Sequence, residues 1–450
     1  MNFLKKPSDG HFKNISLSGN PTVTVFGAMM KIIRDIKDFP ALKADWEGIV
    51  RKNHSNNFYL GFDWFYYILH CSQNPPRELY IAVFQKNGNT IAILPCCIVH
   101  KKLRLFRLKS LEIIGNIYSA YKGCIVLKGM EEEVAEKFSA HLLETESEIW
   151  DILDFEYTDP ADPFTIALQS AVQKKKLRTR QTVQFANLKV DLSQFADAEA
   201  YFRSMGKNHR RNIVKRINKL NRNGDFDIIR IIEGSDRPGK IPGKIPGKIM
   251  DDFYRIYDES WKNKDIDPRF HAKLAEYLAG QKMLRLFLLG FRPGADSENS
   301  PKKFSSYRSH IQEANRFDDD FIPLAGLYYV KSGDTAYALK TAYREKYSDY
   351  SPGTVLWWFS IKYLLEVDKC RKLDFQKGDE DYKFRFGGTV SGNYIRYQAA
   401  NPASAYANLE ILSEQSVIPV LKKVKYSDLG IRIGRYFVPG KNDAGRRRKK

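Results

Sequence analysis

Three stretches of this sequence combine residue types and spacings that could do chemistry. The first is Lys207-Asn208-His209-Arg210-Arg211-Asn212-Ile213-Val214-Lys215-Arg216-Ile217. Wound as a helix, it sets Ile213, Ile217 and Leu220 on one face and gathers Lys207, Arg211, Lys215 and Arg222 along another. Such a cluster grips phosphate or carboxylate through bidentate guanidinium forks, or it is a charged face turned to solvent. The second stretch runs from the strand-like Tyr337-Ala338-Leu339-Lys340-Thr341-Ala342-Tyr343 to Ser351-Pro352-Gly353-Thr354-Val355. Ser351 suits an N-cap and Pro352 the first helical position, and the free amides of such a helix start make either an anion site or an ordinary capped end. The third is Leu373-Asp374-Phe375-Gln376-Lys377-Gly378-Asp379-Glu380-Asp381-Tyr382-Lys383. A strand ending in Asp374, then a glycine turn, acids, Tyr382 and Lys383, reads as a polar site or as a turn held by Asx bonds and a Lys–Asp pair.

Other chemistries lack their signatures. There is no glycine-rich Walker loop, no G-x-S-x-G elbow and no G-x-G-x-x-G after a strand. Without C-x-x-C or H-E-x-x-H, no zinc or other metal site is expected. Cys71, Cys96, Cys97, Cys124 and Cys370 are odd in number and irregular in spacing, which argues against a disulfide framework and for a reducing cytoplasm. The net charge of +20 points to anionic partners: nucleic acid, acidic lipid or phosphorylated small molecules.

The elements that must position these residues follow from periodicity. With 450 residues, 43% hydrophobic and 28% charged, the chain reads as globular, with two or three domains. The N-terminal basic residues are not followed by an apolar core, so no signal peptide is expected, and the longest apolar runs are of strand length, so no membrane span is expected either. Residues 1–28 read as a loose arm. Helices are expected over 36–51, 62–71, 131–148 and 163–174, with strands over 78–85, 90–99, 111–116, 124–127, 149–157 and 183–190. The order then restarts: helices over 195–204, 208–223, 249–263, 267–281 and 353–367, and strands over 227–232, 284–291, 322–330, 335–343 and 371–375. This implies a duplicated α/β unit, recognised by element order with no visible identity between the halves. The first half shows no counterpart of the Ser-Pro-Gly helix start or of the Asp-Phe strand end, so the site is expected in the second. Residues 240–248, which repeat Lys-Ile-Pro-Gly, and 292–320 read as inserts without regular structure. The basic end Gly445–Lys450 reads as solvated, with contact to RNA or an anionic membrane surface as the other possibility.

Taken in order, Lys207–Arg211, Ala342-Tyr343, Tyr350-Ser351-Pro352-Gly353, Asp374-Phe375, Gly378-Asp379-Glu380 and Tyr382-Lys383 resemble the pattern of the CelD-like acetyltransferases. These belong to the GNAT superfamily and are similar to the Fem peptidyltransferases. The likeness is best over 195–386, looser over 39–190, where Ala92-Ile93-Leu94-Pro95 resembles a recurrent strand, and it does not reach 1–28 or 390–450. It implies tandem GNAT-like acyl-CoA N-acyltransferase folds with mixed central sheets, a first unit over 29–190 and a second over 191–400 that carries the motifs; outside them are expected the arm over 1–28 and a C-terminal helix and basic tail over 401–450. It also implies an acyl-CoA such as acetyl-CoA as co-substrate, lying between two central strands with its pyrophosphate at Ser351, Gly353, Thr354 and Val355, although the superfamily's glutamine/arginine-x-x-glycine-x-glycine/alanine signature is missing.

The function so implied is acyl transfer to an amine or hydroxyl of an anionic sugar or cell-envelope polysaccharide precursor. Lys207, Arg210 and Arg211 would hold the acceptor, and Asp379, Tyr382 and Lys383 would order it. Asp374 would act as general base and Tyr343 would protonate the leaving thiolate, with a bulged strand amide as oxyanion donor. Two alternatives stand beside it: Fem-like transfer from aminoacyl-tRNA, and a non-catalytic partner of a polysaccharide machine.

Overall fold

The computed structural model describes residues 22–25, 28–103, 106–222, 226–231, 247–291, 311–314 and 321–412. In the first half, strands β1 (Thr22–Val25), β2 (Ala28–Ile33), β3 (Glu78–Lys86), β4 (Asn89–Leu103), β5 (Phe106–Ile113), β6 (Ile125–Val126), β7 (Ile152–Thr158) and β8 (Thr179–Asp191) alternate with helices α1 (Lys43–Lys52), α2 (Phe62–Cys71), α3 (Glu131–Glu144) and α4 (Pro163–Lys174). The second half adds α5 (Ala198–Ser204), α6 (Lys207–Arg222), β9 (Phe226–Ile231), α7 (Gly247–Asp258), α8 (Pro268–Gly280), β10 (Leu284–Phe291), β11 (Ile311–Ala314), β12 (Ile322–Ser332), β13 (Thr335–Tyr343), α9 (Pro352–Glu366), β14 (Lys372–Lys377), α10 (Asp381–Arg385) and β15 (Thr389–Ala400). A further helix covers 405–412.

Local chemistry accounts for many of the boundaries. Asn87 and Gly88 both take positive φ, 52° and 74°, as a two-residue hairpin turn between β3 and β4 requires. Asp162 caps α4 by accepting from the Thr165 amide, and Asp267 caps α8 by accepting from Phe270; each is followed by a proline in the first turn.

The strands form one continuous mixed sheet whose two halves mirror each other. Outward from the centre, one side runs β15-β7-β5-β4-β3-β2 and the other β8-β14-β13-β12-β10-β9. On each side the second and third strands are parallel, β7 with β5 and β14 with β13, and the remaining neighbours in both runs are antiparallel. This is a duplicated GNAT-like α/β fold. The halves exchange their last strands: β8 pairs with β14, and β15 pairs with β7 and with β8. One hydrophobic core joins the first half to α7 and α8, and a second packs α5, α6 and α9 on the sheet.

The duplication also corrects the expectation that the first half lacks an Asp-Phe strand end. Leu153 pairs with Leu111 in the β5–β7 ladder, as Leu373 pairs with Ala336 in the β13–β14 ladder. Leu153-Asp154-Phe155 and Leu373-Asp374-Phe375 therefore occupy corresponding places.

Two central features went unread in the sequence. Strand β15 carries Ser391, Asn393, Arg396 and Gln398, which look unlike a buried strand. Arg180 pairs with Gln398, and Arg396 pairs with Asp154, so the polar groups are satisfied across the sheet. Strand β2 lies where a loose arm meets the first helix. The inserts also differ from expectation: Ile311–Ala314 forms β11, parallel to β9, and Gly247 opens α7. Residues 240–246, 292–310 and 315–320 lie outside the described residues, as do the arm over 1–21 and the tail from 413.

Candidate active site

Strands β13 and β14 stay paired only at Thr335–Lys372, Ala336–Leu373 and Tyr337–Asp374. Beyond that point they part, β13 running on to Tyr343 and β14 to Lys377. The parting coincides with two irregularities. On β13, Lys340 pairs with Tyr328 and Ala338 with Tyr329, which leaves Leu339 bulged out of the ladder. On β14, Phe375 is bulged against β8, and Gln376 takes a positive φ of 63°. A cavity of about 200 Å³ occupies the wedge, walled by Leu339, Lys340, Lys262, His271, Trp357 and Tyr382 among others.

Several polar atoms facing this wedge have no partner. Both ring nitrogens of His271, a residue only 2% exposed, and Nε2 of Gln376 are buried without a hydrogen bond. Burial pushes the His271 pKa well down, aided by the Lys340 charge, so the imidazole is neutral. Unsatisfied buried groups are rare, and a cluster of them around one cavity is what a polar ligand would satisfy.

Asp374 lies at the base of the wedge and faces a different cavity. This polar cleft of about 280 Å³ lies between the halves, lined by Tyr59, Asn187, Lys189, Tyr337, Lys372 and Tyr394 beside Asp374. The carboxylate accepts from the Gln376 amide at 2.7 Å and from Asn187 at 3.4 Å, and Lys189 Nζ is 3.6 Å away. Burial raises its pKa, outweighing the pull of Lys189, the Gln376 amide and Asn187. The Tyr59 hydroxyl donates to Gln376 Oε1, so this pair stands between cleft and wedge.

The other expected residues are placed as follows. Tyr343 ends β13, six residues beyond the Tyr337–Asp374 pair, which at about 3.3 Å per residue puts it about 20 Å from Asp374. One reacting group cannot touch both. Tyr343 instead packs beside Gly353, where an added Cβ would meet its ring at 3.3 Å. Ser351 precedes α9 in the left-handed region, φ 48°, and its side chain does not cap the helix. Its carbonyl accepts from Thr354 and Val355, so those two amides are occupied, and the Val355 side chain is fully buried. Of the four residues expected to meet an anion, Thr354 and Val355 therefore have no free amide to offer.

Lys207, Arg210 and Arg211 line an open groove along α6 and neither central cavity, so they are not brought to Asp374. The same helix does approach the start of α9: Arg216 and Lys219 donate to the Asp349 carbonyl at 2.5 and 3.2 Å. Asp379 is exposed on its turn. Lys383 is buried, and its Nζ meets the carbonyls of Lys377 at 2.7 Å and Gly378 at 3.2 Å and Glu380 Oε2 at 2.8 Å. All three donors are used, so Lys383 clamps the turn rather than holding a substrate. Tyr382 lines the wedge and packs at a tilt against Trp357 and edge-to-face against Phe375.

Lys262, His271, Gln376, Tyr59 and Lys189 were not singled out from the sequence. His271 carried one available signal: it falls on the apolar stripe of α8 with Leu274, Ala275 and Leu278. All five cysteines are free. Among the described residues no helix is long and apolar enough to cross a membrane, and no group of side chains is arranged to hold a metal.

A family model described as an acetyltransferase (GNAT) domain matches residues 315–384, which hold β12, β13, α9 and β14. No curated protein matches. Among solved structures the chain is similar to FemX, at 13% identity over 71% of this chain and 87% of that one, with a TM-score of 0.45. It is also similar to a tandem GNAT protein from the clavulanic acid biosynthesis pathway, at 10% identity over 83% of this chain and 99% of that one, with a TM-score of 0.44.

Proposed function

We propose that this chain is an acyltransferase whose second half binds an acyl-CoA between β13 and β14 and passes the acyl group to an amine or hydroxyl. The observation that carries this reading is the parting of β13 and β14 at a bulge, Leu339, beside a cavity edged by unsatisfied polar groups. A residue bulged out of its ladder offers a backbone N–H to the oxyanion that forms when a thioester carbonyl is attacked. Leu339 is two residues, about 7 Å, past the Tyr337–Asp374 pair.

The acceptor enters from the polar cleft. Lys189 and Lys372 there meet its negative groups, in place of Lys207, Arg210 and Arg211. Asp374 accepts the proton of the attacking amine or hydroxyl; its raised pKa moves it toward the range in which a carboxylate works as a base. As the carbon–sulfur bond breaks, the thiolate takes a proton from Tyr382, which lines the wedge and which burial keeps protonated. Tyr343 lies at the phosphate end, beside Gly353. An anionic saccharide of the cell envelope fits such a cleft. Transfer from aminoacyl-tRNA is the second reading, favoured by the net charge of +20 and by the basic face of α6 beside the start of α9.

Leu339→Pro tests the first reading. It removes one N–H at a position outside the ladder, where proline is tolerated. Turnover with acetyl-CoA and a panel of amino sugars should fall about 10²–10³-fold, the loss typical of one oxyanion donor, while thermal stability changes little. Absence of calorimetric binding by any CoA thioester, with tRNA bound instead, would replace it with the second reading.

A further inference from the structure

We propose that the wedge between β13 and β14 is an anion site with Lys262 as its receptor, so that the ligand entering it carries a carboxylate or a phosphate. This builds on the reading of the wedge as the donor site.

Four lysines line the cavity: Lys262, Lys340, Lys377 and Lys383. Two are neutralised. Lys340 Nζ lies 2.8 Å from Asp265, a carboxylate that also accepts from the Tyr118 and Tyr254 hydroxyls at 2.5 and 3.0 Å. Lys383 lies 2.8 Å from Glu380. Lys262 has no such partner among the described residues; its ammonium rests near the ring faces of Trp261 at 5.6 Å and Tyr257 at 5.9 Å. Lys377 also lacks a carboxylate, but its Nζ donates to the Ile117 carbonyl at 2.8 Å and lies over the Tyr157 ring. Lys262 is thus the ammonium of this wall with neither a carboxylate nor a hydrogen-bond acceptor among the described residues.

Burial, then the charge of Lys340, pushes the Lys262 pKa down to about 8. The same wall presents His271, with both ring nitrogens unpartnered, and Nε2 of Gln376. An uncharged thioester arm could satisfy the imidazole and the amide but would leave Lys262 uncompensated. A carboxylate or phosphate can accept from Lys262, from the Gln376 amide and from the one N–H of the neutral imidazole. A cavity of about 200 Å³ holds roughly six or seven water-sized groups at about 30 Å³ each, enough for a phosphate or a short dicarboxylic chain. The anion could be a carboxylate at the end of the transferred acyl group or a phosphate of the donor.

The test is calorimetry on the full chain with inorganic phosphate, succinate, acetyl-CoA and succinyl-CoA, comparing the native protein with Lys262→Met and Lys262→Arg. At least one of the two anions should bind the native protein, about 10- to 100-fold more weakly after Lys262→Met, with Lys262→Arg restoring most of the affinity. Tighter binding of succinyl-CoA than of acetyl-CoA, dependent on Lys262, identifies the acyl carboxylate. Lys262-dependent binding of phosphate, with both thioesters bound alike, identifies the phosphate. Failure of both anions to bind, or equal binding by Lys262→Met, overturns the proposal. Acetyl-CoA binding that ignores Lys262 would then leave the acyltransferase reading standing. Lys262-dependent anion binding with no thioester bound would do the reverse.

Discussion

Asp154 and Asp374 occupy corresponding places in the two halves, each the residue after the leucine paired across the parallel ladder, and their surroundings differ in kind. Asp154 is clasped by Arg396 at 2.7 and 2.5 Å and by Lys101 at 2.8 Å, and Lys101 also pairs with Glu112 at 2.5 Å. Although burial alone would raise its pKa, the hydrogen bonds from Arg396 and the charge of Lys101 hold it below the ordinary value. Asp374 has one lysine at 3.6 Å and a cleft in front of it, and its pKa is raised. The strand before each aspartate repeats the contrast. Strand β5 pairs with β4 without a bulge, whereas β13 bulges at Leu339. So do the helix starts: α3 opens with Glu131, Glu132 and Glu133, which repel an anion, and α9 opens with Pro352 and Gly353. One half has spent its duplicated site on an ion-pair network, and the other keeps it open.

The largest expected effect separates the two aspartates by activity. Asp374→Asn removes the proposed base and should lower turnover about 10²–10⁴-fold with little change in donor binding. Asp154→Asn, assayed at a temperature where it stays folded, should keep turnover within a few-fold. Equal turnover losses in the two variants would mean that the first half contributes to chemistry and that the contrast drawn above is false.

Next in size is the effect on stability, and it should reverse the ranking. Asp154→Asn leaves Lys101 and Arg396 facing an uncharged amide, a loss of about 3 kcal/mol for breaking a buried pair. A carboxyl held below its unfolded value of 3.8 adds stability above that pH and loses it as pH falls through the folded value. The Asp154→Asn deficit should therefore be full at neutral pH and shrink in acid. Asp374 works the other way. A carboxyl raised above 3.8 costs stability once pH exceeds that value, so Asp374→Asn should gain stability at neutral pH and lose the gain near pH 4. Urea unfolding at pH 7.5 and pH 4 reads the sign for Asp374→Asn, and a further measurement at pH 3 or below, under the unfolded value of 3.8, reads it for Asp154→Asn.

The sequence displayed the duplication through its element order, and it displayed Asp374, Gly353 and the α6 cluster through residue type. It concealed how those pieces meet. Arg396 sits on a strand whose polar residues disguised it, and its partner Asp154 is 242 positions away. Lys262 falls within the expected helix over 249–263 but lies past the end of α7 at Asp258, and its importance comes from what it lacks, a carboxylate. Tyr343 and Asp374 looked like partners because both end motifs, but strand rise separates them by about 20 Å. Type and spacing along the chain report chemistry within one element. Distances across a sheet depend on register, and register is set by bulges such as Leu339 that leave no mark in composition.

The smallest effect concerns the helix starts. Gly353→Ala adds a Cβ that meets the Tyr343 ring at 3.3 Å. Contact at that distance asks the ring to shift by a few tenths of an ångström, and Tyr343 is only half-buried, so it can give way. Alanine also gains up to about 1 kcal/mol of helix propensity over glycine, which offsets the crowding. Stability should therefore change by less than about 1 kcal/mol in either direction. Binding is another matter. The Ser351 carbonyl already takes the Thr354 and Val355 amides, so the Gly353 amide is the group left to meet a phosphate, and a methyl beside it hinders close approach. The donor dissociation constant should rise by about three- to tenfold, a single weakened hydrogen bond. Glu131→Ala at the matching start of α3 should leave it unchanged. A thioester affinity untouched by Gly353→Ala would move the phosphates away from α9, toward the Arg216–Lys219 face of α6, while the contrast between the two aspartates would stand.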